Sequence, residues 1–369
     1  MRVVLSGGGT GGHIYPALAV ASQCAEEFPN SKFLYIGGQR GLESSLVPKE
    51  NIPFEAIDIT GFRRKLSLEN VKTIMRFLKG VRTSKKLLRE FKPDVVIGTG
   101  GYVCGPVVYA AAKLGIPSII HEQNAIPGLT NRFLSKYVST VAVSFDNMNS
   151  AFPGAKNIVY TGNPRATTVF AADKNKGYDS LGLPKSSSVV LVVGGSRGAK
   201  AINEAMIQMA PLLNKAEHLR FVYVTGESYY ASTMNTIQSQ VGELPDNLLV
   251  LPYVHNMPEV LASTSLIVNR AGASFLAEIT ALGIPSVLIP SPNVTNNHQE
   301  KNARTLERAG AAKVILEPEL TGQSLFDAIK RIMGDLEVHA SMSEASRRLG
   351  KPDSAHLVVE EMRRLIQSR

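Results

Sequence analysis

A chain of 369 residues exceeds what one ordinary core encloses and points to two domains. Hydrophobic residues make up 44% and charged residues 19%, and no apolar run nears the roughly 20 residues that span a bilayer, so a disordered chain and an integral membrane protein are both set aside. The net charge of +9 leaves nucleic acid, a membrane surface or an acidic substrate open, while the two cysteines, Cys24 and Cys104, lack metal-site spacing and read as buried thiols of a reducing compartment.

The chain enters an apolar run, residues 2–6, at once, so no leader segment is expected. Short β-branched runs then recur at 32–36, 54–59, 94–97, 117–121, 138–143 and 157–161, mostly separated by segments of helical period. That alternation predicts βα units in a largely parallel sheet. After a polar stretch, 172–187, it restarts at 189–193 and continues through 220–225, 248–252, 265–269, 285–290 and 311–316. Two doubly wound, Rossmann-like α/β domains are therefore predicted, with the boundary near Gly162-Asn163-Pro164. Residues 325–369 keep helical spacing throughout. The expected division is 1–163, 164–345 and a closing helical segment, 346–369, that can cross back onto the first domain.

The charge is concentrated. Between Gly61 and Lys92 lie eleven Lys or Arg, including Arg63, Arg64 and Lys65, against Glu69 and Glu90. Within this segment Leu68, Val71, Ile74, Met75, Leu78 and Val81 trace a helical apolar stripe read as core, flanked by Lys72, Arg76, Lys79 and Lys86. Phe77 falls off the stripe and is expected to project among the cations. Such a face suits reversible docking on an anionic membrane surface, each cation contributing roughly 1 kcal/mol. Nucleic acid is disfavoured, because the basic segment lacks interleaved aromatics and a recognised motif.

Three glycine-rich turns follow predicted strands: Gly7-Gly8-Gly9-Thr10-Gly11-Gly12-His13, Gly98-Thr99-Gly100-Gly101 and Gly194-Gly195-Ser196-Arg197-Gly198-Ala199. Bare N–H groups and a positive helix end make such turns anion cradles. A nicotinamide or flavin site would need an acidic residue closing the second strand, where Gly37-Gly38-Gln39 stands instead. Neither a Walker lysine motif nor a GxSxG elbow occurs. Repetition of the device in both domains suits a diphosphate-bearing donor lying in an interdomain cleft.

With His121-Glu122-Gln123-Asn124, Gly162-Asn163-Pro164-Arg165, Gly100-Gly101-Tyr102-Val103 and Asn297-His298-Gln299 followed by Asn302-Ala303, the turns form a set spread over the whole chain. Taken in chain order, the set resembles the MurG family of glycosyltransferases. The resemblance implies a GT-B fold, two Rossmann-like domains facing across a cleft. It also implies an inverting transfer of N-acetylglucosamine from UDP-N-acetylglucosamine to the MurNAc 4-hydroxyl of lipid I, undecaprenyl-pyrophosphoryl-MurNAc-pentapeptide, giving lipid II for peptidoglycan. A peripheral enzyme on the cytoplasmic side of the cell membrane is expected, with no cofactor, since no DxD metal triplet is present. Two departures stand out: Cys104 replaces the usual Ser, and Arg197 the usual Gln. Arg197 either adds a cation near the diphosphate or lies on the surface.

The reaction needs a base, a diphosphate cradle and a nucleoside clamp. His13 is the favoured base, at a helix start whose positive end would keep the imidazole neutral, and Glu122 is the alternative. The resemblance implies a cradle of Gly195, Ser196, Arg197 and Gly198. It carries Arg165, Ser196, Val254, Ala273, Glu278 and Gln299 to the nucleoside, with Thr10, Gly11, Gly12 and Asn124 facing the sugar. Glu278 is expected at a helix start, gripping the ribose hydroxyls, and Gln299, His298 and Asn302 on a helix face toward the cleft.

Overall fold

A computed structural model describes residues 1–61, 68–294 and 297–368, apart from the side chains of residues 68–71. Arg63, Arg64 and Lys65 of the basic run, and the side chains of Leu68 and Val71, lie outside the described residues. The chain forms two compact units, one of residues 1–167 with 353–369, the other of residues 168–352.

The first unit is a seven-stranded parallel sheet built from β1 (Arg2–Ser6), β2 (Lys32–Gly38), β3 (Phe54–Ile57), β4 (Val95–Gly98), β5 (Ser118–Glu122), β6 (Thr140–Val143) and β7 (Ile158–Tyr160), in the order β3-β2-β1-β4-β5-β6-β7. Its helices are α1 (Gly11–Glu27), α2 (Glu43–Leu46), α3 (Leu68–Phe91), α4 (Gly101–Lys113) and α5 (Leu129–Leu134). The strands read as continuous apolar runs because both faces are covered. In β1, Val4 joins a core with Ile36, Val96 and Ile120, while Val3 and Leu5 point the other way, into a second core with Ile14 and Val20 of α1.

Helix α6 (Arg165–Phe170) leads the chain out of this unit. The second is a six-stranded parallel sheet: β8 (Ser188–Val193), β9 (Leu219–Val224), β10 (Leu248–Leu251), β11 (Leu266–Asn269), β12 (Ser286–Leu288) and β13 (Ala312–Val314), in the order β10-β9-β8-β11-β12-β13. Around it lie α7 (Lys174–Leu181), α8 (Lys200–Met209), α9 (Glu227–Val241), α10 (Met257–Ala262), α11 (Ala273–Leu282), α12 (His298–Arg308), α13 (Gly322–Met333) and α14 (Leu336–Leu349).

The helical tail is broken where glycines fall: α13 ends at Gly334 and α14 at Gly350. Residues 346–352 stay with the second unit, where Ser346 donates to the Ile284 carbonyl at 3.1 Å. The last helix, α15 (Ser354–Gln367), belongs to the first. Val358, Val359 and Met362 enter the core of Val3 and Leu5, Ser354 donates to the Thr161 carbonyl at 2.6 Å, and buried Glu361 accepts from Thr140 Oγ1 at 2.5 Å.

Helix α3 overturns two expectations. Ile74, Met75 and Leu78 are 49%, 65% and 61% exposed, whereas Phe77 packs into the core beside the rings of Tyr109 and Phe133. The buried face is instead Thr73, Phe77, Gly80, Val81, Ser84 and Leu88. Small residues decide it. A Cβ on Gly80 would meet Pro106 at 3.2 Å, and one on Gly105 would meet Phe77 at 3.2 Å, so α3 and α4 approach closely only along this line. Among the described residues no helix is long and apolar enough to cross a membrane.

Candidate active site

Strand order reverses between β1 and β4 in the first sheet and between β8 and β11 in the second. At such points the chain leaves neighbouring strands in opposite directions, opening a crevice at their carboxyl ends where α/β sheets receive ligands.

In the first unit two glycine turns meet there. The turn after β1 touches the turn after β4, with the Gly8 N–H donating to the Gly100 carbonyl at 3.3 Å and Thr99 Oγ1 to the His13 carbonyl at 2.6 Å. Gly101, at φ +79°, lies so close to the Gly8 carbonyl that no side chain fits. His13 is the third residue of α1, and its Nδ1 stands 3.0 Å from the Gly8 carbonyl and 3.3 Å from Thr10 Oγ1. A carbonyl only accepts, so that contact puts the proton of a neutral ring on Nδ1 and the lone pair on Nε2. Thr10 and Gly12 are exposed at this turn, and Gly11 is half-buried.

The chain after β5 is arranged differently. His121 is buried: its Nε2 donates to the Gly162 carbonyl at 2.8 Å and its Nδ1 accepts from the Gln123 amide at 3.0 Å. Burial pulls its pKa down to about 4, outweighing the Gly162 carbonyl, so the ring is a neutral strut. Buried Glu122 accepts at Oε1 from Asn124 N and Nδ2, at 3.0 and 3.3 Å, and at Oε2 from Gly128 N and Asn131 Nδ2, both at 2.9 Å. Both oxygens thereby hold the loop that presents Asn124. Arg165 opens α6 with its guanidinium 5.2 Å from the centre of the Tyr15 ring, a stacking the sequence reading missed. Cys104 is fully buried, its thiol pushed up to about 12 chiefly by desolvation, and takes no part in the surface of the turn.

In the second unit Gly194–Ala199 link β8 to α8, a helix of ten residues. Gly195 and Gly198 have φ of +97° and +74°, and the Gly198 N–H donates to the Gly195 carbonyl at 2.9 Å, leaving Ser196 and Arg197 exposed at the tip. The Arg197 side chain is thus a surface group at the tip of this turn. Val254 is buried beyond β10, and Ala273 is the first residue of α11. Glu278 is the sixth residue of α11 and is buried, not at the helix start as expected. The Gly272 N-cap puts the beginning of the helix well before it. Gln299 Oε1 accepts from Ser291 N at 2.9 Å and braces the loop before α12. His298, half-buried, is the first residue of that helix. Asn302 is fully buried and donates to the Ala271 carbonyl at 3.3 Å, so it ties α12 to the turn after β11 and does not share an open face with Gln299.

Glu43 also escaped the sequence reading. It is fully buried and accepts from the Gly9 and Gly38 N–H groups at 3.0 Å each. The available signal was local: a carboxylic acid just after Gly37, Gly38 and Gly41.

Residues 3–143 match the model of the glycosyltransferase family 28 N-terminal domain, and residues 189–358 that of its C-terminal domain. Over 367 residues the chain is 54% identical to the UDP-N-acetylglucosamine--N-acetylmuramyl-(pentapeptide) pyrophosphoryl-undecaprenol N-acetylglucosamine transferase 1 of Bacillus cereus, covering 100% of both chains. It is likewise 54% identical to the transferase of that name from Bacillus subtilis, covering 99% of this chain and 100% of the relative. Among solved structures, MurG of Acinetobacter baumannii superposes with a TM-score of 0.78 at 32% identity, covering 98% of this chain and 99% of the other.

Proposed function

The chain belongs to glycosyltransferase family 28, with the MurG transferases, and on that premise we propose that it moves N-acetylglucosamine from UDP-N-acetylglucosamine to lipid I, forming lipid II for peptidoglycan. The observation that carries this is the end-to-end correspondence at 54% identity over 367 residues.

The transfer forms a bond between the MurNAc 4-oxygen and the anomeric carbon as the bond to UDP breaks, with inversion. The hydroxyl proton passes to His13 Nε2, since the Gly8 carbonyl holds the other ring nitrogen as N–H. Glu122 then serves as a positioning residue for Asn124 and not as the base, because its four hydrogen bonds already engage both oxygens. Thr10, Gly11, Gly12 and Asn124 are assigned to the sugar. In the second unit Gly195, Ser196, Arg197 and Gly198, with the N-terminus of α8, offset the diphosphate charge through N–H groups and the helix dipole. Arg165, Val254, Ala273, Glu278 and Gln299 are assigned to the nucleoside.

The acceptor is a lipid, and α3 offers a face for it. Exposed Ile74, Met75 and Leu78 stand beside exposed Lys72 and Lys79, a combination that favours an anionic bilayer over nucleic acid, because apolar side chains gain nothing from a phosphate backbone. On this reading the enzyme is a peripheral protein on the cytoplasmic side of the cell membrane, and the exposed face of α3 supports that reading. Incubation with labelled UDP-N-acetylglucosamine and a lipid I analogue in the presence of EDTA tests the function. The expected product is the labelled disaccharide lipid; an unmodified acceptor would exclude the assignment.

A further inference from the structure

The peptide unit between Gly8 and Gly9 is engaged at both of its polar ends. Its N–H, on Gly9, donates to Glu43 Oε2 at 3.0 Å, and its C=O, on Gly8, lies 3.0 Å from His13 Nδ1. Glu43 opens the short helix α2 from within the protein, 0% exposed, and takes a second N–H from Gly38 on β2 at 3.0 Å. A Cβ on Gly8, Gly37, Gly38 or Gly41 would come within 3.0 Å of a Glu43 atom, so these four glycines shape a socket around one carboxyl group. Burying a carboxylate is expensive unless hydrogen bonds compensate it, and nothing in the packing of an α/β sheet demands one here.

Tyr35 of β2 donates its hydroxyl to the Gly7 carbonyl at 2.7 Å, and burial together with the negative charge of Glu43 pushes its pKa well up. Tyr102 of α4, whose ring lies against Gly9, is pushed up by the same two causes. Around His13, Thr10 Oγ1 stands 3.3 Å from the same Nδ1, Thr99 Oγ1 donates to the His13 main-chain carbonyl at 2.6 Å, and Gly100 packs against the Cδ2–Nε2 edge of the ring.

We propose that Glu43 is a positioning residue of the transfer reaction, acting through the Gly8–Gly9 peptide to hold His13 as the Nδ1–H tautomer. A negative charge on the N–H side of an amide draws that hydrogen bond tight and increases the electron density on its carbonyl oxygen. The Gly8 carbonyl thereby becomes a stronger acceptor for Nδ1–H, and the Nε2 lone pair gains basicity toward the acceptor hydroxyl. When the proton arrives at Nε2 the positive ring is stabilised through the same peptide, and Glu43 itself takes no proton. The logic is that of the carboxylate–imidazole pair in hydrolases, with one peptide interposed. The inference rests on His13 as the base, and its test is chosen to separate the two.

The tautomer is read from the nitrogen-15 chemical shifts of His13 in the resting protein, above its pKa and without substrate. Wild type should show Nδ1–H, and Glu43→Gln should shift the ring toward a mixture with Nε2–H. The same variant should lose about 10- to 100-fold in kcat, the scale on which an outer hydrogen-bond partner acts on a histidine, with KM for UDP-N-acetylglucosamine unchanged. Glu43→Asp, which keeps the charge but shortens the reach, provides a second variant with a smaller effect in the same direction. A wild-type ring protonated at Nε2, or an unchanged tautomer and kcat in either folded variant, overturns the proposal. Full turnover in His13→Ala would remove the base assignment while leaving the tautomer result standing.

Discussion

Replacing Met75 and Leu78 together with Gln separates two contributions to membrane docking. The side chains are 65% and 61% exposed, so well over half of each is available to a bilayer and little of either supports the fold. Full burial of such a side chain is worth about 1.5–3 kcal/mol, and the exposed fractions scale this to about 1–2 kcal/mol each. Losing both should weaken vesicle binding by about 2–4 kcal/mol, roughly 30- to 1,000-fold. Lys72→Gln with Lys79→Gln should cost about 2 kcal/mol in total, but only at low salt, because charges at the surface are screened. Arg76 contributes less, being engaged with Asp58 at 3.8 Å and with Thr60 Oγ1 at 3.3 Å. Sedimentation with vesicles rich in anionic lipid, at low and high salt, reads both pairs, beside transfer to a bilayer-embedded and a short-chain soluble acceptor. The apolar pair should fail at both salt levels, the lysine pair only at low salt, and the soluble acceptor should be spared throughout. Equal loss with both acceptors, or undiminished vesicle binding without Met75 and Leu78, would refute the reasoning.

His13→Ala should lower kcat by about 10²–10⁴ with UDP affinity within a few fold, as measured by initial rates and nucleotide titration, because the lost interaction belongs to proton transfer. Glu278→Ala should weaken UDP binding by about 1–3 kcal/mol in calorimetry, and an unchanged affinity in a protein that melts normally would leave Glu278 as part of the core of α11. His121, with its pKa lowered to about 4, binds its proton more readily when unfolded, so its contribution is fully present above about pH 6.5 and is lost as pH falls through 4. Urea melts across that range should show about 3 kcal/mol of destabilisation that is missing in His121→Gln, in which no ring titrates. His356, raised mainly by its hydrogen bond to Glu27, works in the opposite sense below neutrality, but its exposure keeps that effect small.

The amino-acid order by itself determined the two parallel sheets, because a strand covered on both faces must be an unbroken apolar run, and each such run became a strand within a residue or two of its expected limits. It also located the glycine turns, whose conformations belong to the residues themselves, Gly195 at φ +97° among them. What it left undecided depends on partners distant along the chain. Ile74, Met75 and Leu78 of the expected α3 stripe turned outward, while Val81 stayed buried, because the neighbouring helix could approach closely only over Gly80, with Gly105 opposite Phe77, and hydrophobic periodicity weighs greasy residues but not small ones. Glu278 was expected at a helix start and Asn302 on a helix face toward the cleft, and both are buried, since their neighbours across the second unit enclose them. Glu43 went unread in the sequence because only folding brings Gly8, Gly9 and Gly38 around it. Only the tertiary structure decides such matters, because a hydrogen bond between residues 34 positions apart exists only after the sheet has brought β1 and β2 side by side.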